Sequence, residues 1–373
     1  MAEFELTRLG FEMQPEAGNA MEVEGVLNPA SARGPDGHLY LFPRMVSAGN
    51  FSRIGIARVR FDEAGDPVGV ERLGVVLEPE ADYERHGCED PRITYIAEQR
   101  HYVMAYTAFS GDGARIAIAA SKDLLTWRRL GLAQFKPYRG IAFEGINNKD
   151  ASFFPHPIPD PHGRLTTALI HRPLFPGTRP EEMRHQPSCR AVNVHRESIW
   201  ISYCRIVSDG NGERHCVFEH HRRLASPVEP WEQLKIGGGT PPIEIKHGWL
   251  VLYHGVHKIE EPGSEFGKLC YSAGLMVLSK AQPHIILYRA PHPILTPTSP
   301  SERRGVVNNV VFPTAIDRRD DLGDPNRLDV YYGMADNRIG AARLTVPDEL
   351  DVRPVADPPR HSESGLHAER EVD

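Results

Sequence analysis

The segment WLVLYHGV, Trp249–Val256, is an apolar and aromatic run ending in small and polar residues, the mark of a short buried strand. Four other segments share its character: HLYLFPR at His38–Arg44, HYVMAYT at His101–Thr107, RLTTALIHRP at Arg164–Pro173 and LDVYYGMAD at Leu328–Asp336. Several follow a Gly or charged turn, such as Pro35–Gly37 or Lys246–Gly248. After most of them comes a second strand rich in small and branched residues: Ser52–Val59, Arg115–Ala120, Ser198–Val207, Tyr271–Leu278 and Arg338–Leu344. Strand, turn, strand is therefore the repeating unit. The copies start about 60 to 85 residues apart, longer than the roughly 40 to 50 of a usual propeller blade, so each must carry extra loops. Five meander units with little helical periodicity between them predict an all-β fold, a five-bladed β-propeller over residues 1–350. A β-sandwich with coincidental aromatic strands is the competing reading of the pattern alone. The Pro-rich and then charged stretch 351–373 lacks apolar residues to pack and is expected to be a flexible tail.

Composition agrees with this. The 373 residues include 33 Gly and 32 Pro without a collagen-like period, which points to many turns. A formal net charge of −7 argues against a general nucleic-acid binder, whose affinity comes from neutralising phosphates, while leaving room for a local basic pocket. Cys88, Cys189, Cys204, Cys216 and Cys270 are scattered, odd in number and free of metal-ligand spacing, and read as reduced thiols. The acidic start MAEFELTRLGFEMQPEAG is unlike a secretory signal, and no stretch is apolar for long enough to span a bilayer. The expectation is a cytoplasmic protein with no membrane partner.

Three clusters could carry chemistry. Gly87-Cys88-Glu89-Asp90-Pro91-Arg92 reads as a rigid acid-presenting turn. Glycosyl transfer needs one group to protonate the departing oxygen and another to bring in the nucleophile, and Asp90 suits the acid role. The alternative is a turn braced by an acid–Arg92 pair. In the second cluster, Tyr138-Arg139-Gly140 to Asn147-Asn148-Lys149-Asp150, Arg139 and Lys149 could hold a small oxyanion at a strand edge; a solvated Lys-Asp pair is the competing reading. In the third, His254 ends the apolar strand that follows the triple glycine Gly237–Gly239, either as a donor to phosphate or sugar or as a structural hydrogen-bonder. The triple glycine lacks a P-loop ending. Asn308-Asn309 and Tyr331-Tyr332-Gly333-Met334-Ala335-Asp336 suit sugar recognition, with core packing the alternative for the tyrosines.

Together these segments resemble glycoside hydrolase family 130, the β-mannoside phosphorylases and related mannosidases. The resemblance is carried by Asn28-Pro29-Ala30, Glu89–Arg92, Tyr106-Thr107-Ala108, Ala119–Asp123 with Trp127, Asn148–Ala151, Phe154-Pro155, Gly248–Leu250 with Tyr253–Val256, Asn309–Pro313, and Tyr331–Gly333 with Ala335-Asp336. They run in family order from about residue 28 to 344. The resemblance implies a propeller with the sugar site at its central mouth and an inverting reaction. Asp90 would be the general acid, acting partly through a hydroxyl of the bound mannosyl unit. Arg139, Lys149 and His254 would bind inorganic phosphate, which attacks the anomeric carbon to give α-mannose 1-phosphate and a shortened sugar. Asn28, Arg44, Arg92, Asp150, Tyr253, Asn309 and Asp336 would meet the β-mannoside.

The stretches 174–196 and 258–268 depart from the family pattern, as does Ser301-Glu302, where the family usually has Tyr-Glu before the Asn-Val-Val-Phe-Pro segment. An inverting hydrolase and a non-catalytic sugar-binding propeller are the other readings. Nothing suggests a metal, nucleotide or flavin, so inorganic phosphate as co-substrate is the only small-molecule requirement expected. Homo-oligomerisation is compatible with the sequence.

Overall fold

The computed structural model describes residues 3–175, 196–208, 214–259 and 268–355. Cys189, most of 174–196 and 258–268, and the chain beyond 355 lie outside the described residues. The regular secondary structure described is almost all β-strand; the α-helix Pro300–Arg303 is a single turn. The ten strands expected from the repeat are all present, although Arg164–Pro173 divides into Leu165–Thr166 and Ala168–Pro173.

Each pair of repeat strands is extended by an inner strand before it and an outer strand after it. The first unit runs Gly25–Arg33, Leu39–Ser47, Phe51–Phe61 and Pro67–Leu77; the second runs Gly87–Ile96, His101–Ser110, Gly113–Ser121 and Arg128–Leu132, all antiparallel within their unit. One parallel bridge, Ser52 to Gly87, joins these two units. The third comprises Asn148–Phe153, Ala168–Pro173, Ile199–Ser208 and Arg214–Ala225; the fourth Lys235–Gly238, Gly248–Ile259, Lys268–Leu278 and Ile286–Arg289. The fifth, Val311–Arg318, Arg327–Met334 and Arg338–Thr345, takes its outer strand from the other end of the chain, Glu5–Met13.

The apolar core lies between successive units. Phe42 and Ile54 meet Ile93 and Met104; Ala105 and Ile116 meet Phe153 and Leu169; Ile170 and Ile201 meet Val251 and Met276; Leu252 and Val277 meet Val330 and Leu344. Tyr331 and Ile339 of the fifth unit then pack on Val26 and Leu41 of the first. This alternation follows from strands buried on both faces, which read as nearly continuous apolar runs.

A buried glutamate guards the entrance to three inner strands. The segments PEADYE at Pro79–Glu84, PVEPWE at Pro227–Glu232 and PTSPSE at Pro297–Glu302 each end in a carboxylate with no solvent exposure. One oxygen of each accepts two backbone N–H groups: Glu80 and Ala81 at 3.0 and 3.1 Å, Val228 and Glu229 at 2.8 and 3.1 Å, Thr298 and Ser299 at 2.8 and 2.9 Å. The other accepts a tyrosine hydroxyl from the second strand: Tyr106 on Glu84, Tyr253 on Glu232 at 2.7 Å and Tyr332 on Glu302 at 3.0 Å. An arginine on the outer strand completes each clamp, Arg129 at 3.0 Å, Arg289 at 2.8 Å and Arg8 at 2.8 Å. Glu22 and Arg72 make a related pair in the first unit at 2.9 Å. Ser301 thus precedes a structural glutamate, and its departure from the family pattern leaves that glutamate in place.

The cysteines are a correction. Cys204 and Cys216, on neighbouring strands of the third unit, are disulfide-bonded, whereas Cys88 and Cys270 are free and buried. Scattered spacing hides this pair because it is a strand pairing, Ile206 opposite Cys216, that brings the two together. Among the described residues no helix is long and apolar enough to cross a membrane.

Tyr332→Phe should cost about 1.5–3 kcal/mol by urea unfolding, the scale of a hydrogen bond to a charged group. Burial pushes the Glu84 and Glu302 carboxyls up, but the arginine and hydrogen bonds outweigh it and hold both below their ordinary value. The Glu84 and Glu302 clamps therefore stabilise fully above the unfolded carboxylate pKa of about 4.3 and lose that stabilisation as pH falls through the lower folded values. Unfolding midpoints measured at pH 7 and pH 3 should differ more in the wild type than in a Glu302→Gln variant.

Candidate active site

Three inner strands share one irregularity. Pairing slips between Leu27 and Ala30, between Glu89 and Arg92, and between Lys149 and Ser152, so that two residues face one on the partner strand each time. Within each slip the first residue has positive φ: Asn28 at 42°, Asp90 at 45° and Asp150 at 56°. Left-handed backbone is costly for most L-residues and least so for Asn and Asp. A bulge re-aims a side chain out of strand alternation. The expected turn at Gly87–Arg92 is therefore a correction: the segment lies inside the strand Gly87–Ile96, and the bulge, not a turn, presents the acid. In the fourth unit Gly239 and Thr240 both donate to the Leu252 carbonyl, at 3.0 and 3.3 Å, and in the fifth the pairing slips between Pro313 and Ala315.

The bulges bring an acidic group together. Asn28 Nδ2 donates to Asp90 Oδ1 at 3.0 Å, and the Arg44 guanidinium lies 3.4 Å from the same oxygen and 2.8 Å from Glu89 Oε1. Ser52 Oγ accepts from Arg44 Nε at 2.8 Å and fixes the fork. Asp336, at φ 50°, completes the set. Burial and then the charge of Asp90 push its carboxyl up to about 6, against the pull of Arg44. Burial likewise raises Glu89 despite Arg44.

A basic group lies alongside. Arg172, buried, donates to Asp150 Oδ2 at 2.5 Å and also pairs with Glu197. Lys149 stands opposite Arg172 in the strand register and interacts electrostatically with Asp150, Glu89 and Tyr271. His254 is buried against Phe312, ring centroids 4.3 Å apart, and its Nδ1 has no protein partner. Burial holds its imidazole neutral, outweighing the attraction of Asp150. Burial also opposes ionisation of Asp150, yet the charge of Arg172, with Arg92 and Lys149, keeps its carboxyl well below the usual range.

Arg92 ties the two groups. It donates to the Asp90 carbonyl at 2.7 Å and to the Gly239 carbonyl at 2.8 Å, and its guanidinium lies 5.8 Å from the Phe312 ring centre. Its buried donors are thus engaged by backbone. Gly237 is required for close approach, since a Cβ there would stand 2.3 Å from His254 Cε1 and 2.4 Å from Asp150 Oδ2.

Asn28, Arg44, Asp90, Arg92, Lys149, Asp150, His254 and Asp336 are therefore gathered. Asn309, at φ 60°, accepts at its carbonyl from the N–H of Tyr271 at 2.9 Å, and the Tyr271 ring stacks on His254 with centroids 6.1 Å apart. Tyr253 is placed elsewhere: strand alternation turns it from the His254 side into the core, with its hydroxyl on Glu232 and Arg289. Arg139 sits exposed in the turn Tyr138–Ile141, its guanidinium 5.5 Å from the Tyr138 ring centre. Sequence reasoning overlooked Arg172, Glu197, Tyr271 and Lys235, whose ammonium lies 5.5 Å from the Tyr271 ring centre. Arg172 had a signal in the His-Arg-Pro end of a repeat strand, the position that Tyr-His-Gly occupies around His254.

Residues 6–353 match a family model described as β-1,4-mannooligosaccharide phosphorylase of glycoside hydrolase family 130. The chain belongs to glycoside hydrolase family 130. Among similar family-130 proteins is a 1,2-β-oligomannan phosphorylase of Thermoanaerobacter sp. (strain X514), 29% identical over 343 residues, 90% of this chain and 95% of that protein. A β-1,4-mannooligosaccharide phosphorylase of Ruminococcus albus is 37% identical over 133 residues, 35% of this chain and 36% of its own. The solved structure of a β-1,2-mannobiose phosphorylase from Listeria innocua, in complex with β-1,2-mannobiose, superposes with a TM-score of 0.66 at 22% identity, covering 91% of this chain and 97% of that one. At that identity the likeness speaks for the fold.

Gly237→Ala should displace His254 or Asp150. A loss of sugar turnover of at least about tenfold, consistent with misplacement of a site group, is expected with the far-UV CD spectrum unchanged.

Proposed function

We propose that the chain is an inverting β-mannoside phosphorylase on a single five-bladed β-propeller. The propeller reading rests on the succession of interfaces around the units, which runs from first to fifth and back to the first through Tyr331 and Val26, with an outer strand from the N-terminal region in the fifth. In this reading the bulged inner strands line the central mouth. The observation that carries the functional reading is the meeting of an acid cluster, Asp90 with Glu89 and Asp336, and a basic one, Lys149 with Arg172 and His254, across buried Arg92.

Asp90 is the general acid. Its proton reaches the glycosidic oxygen by way of a mannosyl hydroxyl as the bond from that oxygen to the anomeric carbon breaks, and a phosphate oxygen forms the new bond from the opposite face. The products are α-mannose 1-phosphate and the shortened sugar, so atoms and charge balance without water. Asn28 and Arg44 orient the Asp90 carboxyl, while Asp336 and Asn309 meet sugar hydroxyls. Phosphate is held by Lys149 and His254; Arg139 would join them on movement of its turn. A fixed cationic cradle aligns the nucleophile at no reorganisation cost during reaction. The protein works in the cytoplasm on a β-mannoside, with inorganic phosphate as co-substrate and no further cofactor.

Incubation with β-mannobioses of both 1,2 and 1,4 linkage should release mannose 1-phosphate only when phosphate is supplied. Free mannose formed equally without phosphate would instead make the protein a hydrolase. Asp90→Asn should lower kcat by about 10²–10⁴, the range for a positioned proton donor. Lys149→Ala should chiefly raise the KM for phosphate.

A further inference from the structure

In the third unit the polar line that crosses the sheet is built from histidines. His171, with no exposure, occupies the position opposite the Asp150 bulge that Tyr106 occupies opposite the Asp90 bulge. Its Nδ1 is 2.9 Å from Asn148 Oδ1 and its Nε2 2.7 Å from Ser202 Oγ. Ser202 Oγ is 2.8 Å from His221 Nδ1, and His221 Nε2 is 2.9 Å from the Lys136 carbonyl. The outer strand bulges to make this contact: Ile201 faces Arg222 and Tyr203 faces Glu219, so His220 and His221 together oppose Ser202, with His220 at φ 52°.

The donor order follows from chemistry. A carbonyl only accepts, so His221 Nε2 carries the hydrogen and its Nδ1, in the neutral ring, accepts from Ser202. The Ser202 oxygen then accepts from His171 Nε2–H, which leaves His171 Nδ1 an acceptor facing Asn148. That contact needs the amide NH₂, and Asn148 Nδ2 is the buried atom otherwise without a partner; a half-turn of the amide supplies it. We infer that Asn148, His171, Ser202 and His221 form a one-directional hydrogen-bonded relay, and that His171 and Ser202 are positioning residues which, through Asn148, fix the Lys149–Asp150 bulge for phosphate. Burial keeps both imidazoles neutral, His221 down to about 4, as the relay requires.

The positioning role rests on the phosphate reading of Lys149; the relay does not. Histidine-selective ¹⁵N NMR of the wild type at neutral pH tests the relay without substrate, and both rings should show the Nε2–H tautomer. An Nδ1–H form at His171 overturns it. Ser202→Ala, which removes one oxygen, should raise the KM for phosphate about tenfold, the scale of one lost hydrogen bond, with the KM for mannoside within about twofold. His171→Phe, which keeps the packing on Phe135 and Phe143, should do the same. Proportional changes in both KM values, or a lowered melting temperature with neither changed, overturn the positioning role. Turnover of the wild type that ignores phosphate removes the phosphate reading itself, and the tautomers then decide the relay separately.

Discussion

A carboxylate sealed from water at the mouth of an inner strand is tolerable only when every oxygen is satisfied. Glu84, Glu232 and Glu302 meet that condition through the same three donors: backbone N–H groups of their own turn, a tyrosine one strand in, and an arginine on the outermost strand. The clamp therefore fixes the chain where it enters the strand, and every later register position is counted from there. In the fifth unit the arginine is Arg8, so closure of the N-terminal strand on the C-terminal unit is part of the same interaction.

The inner strands of the first, second and third units carry one bulge each, which turns a polar side chain out of alternation; in the second unit the bulge follows directly on the clamp. The repeated cost is left-handed backbone at Asn28, Asp90 and Asp150, and strain of this kind persists only where the surroundings over-determine it. Here those surroundings are the charges themselves. Arg44 pins Asp90 and Glu89, Arg172 pins Asp150, and Arg92 joins their strands to the glycines of the fourth unit. Opposite charges are kept adjacent without neutralising one another, which leaves raised carboxyls at Glu89 and Asp336 beside a neutral His254 and an ionised Asp150.

The third unit departs from the clamp. A phenylalanine, Phe143, stands before its inner strand, and the second-strand position held by Tyr106 in the second unit carries His171. A neutral hydrogen-bonded line to His221 replaces the ionic one, beside the strand that carries Lys149 and Asp150.

The amino-acid sequence alone determined the all-β class, the repeated strand pairs and the identity of the acid and basic segments, because apolar alternation and punctuating Gly and Pro are local properties. It misread Gly87–Arg92 as a turn, since a proline after an aspartate looks the same in a turn and in a bulge until the partner strand is known. It placed Tyr253 in the site because adjacent residues on a strand point oppositely, and only packing decides which of Tyr253 and His254 faces Asp150. The pairing of Arg172 with Asp150, the Cys204–Cys216 bond and the clamps were invisible for a related reason: each joins residues that strand pairing or sheet crossing brings together, as Arg8 and Glu302 are joined from nearly opposite ends of the chain. Tertiary structure alone decided those contacts, because burial makes the choice of partner for a charge and burial is a property of the whole fold.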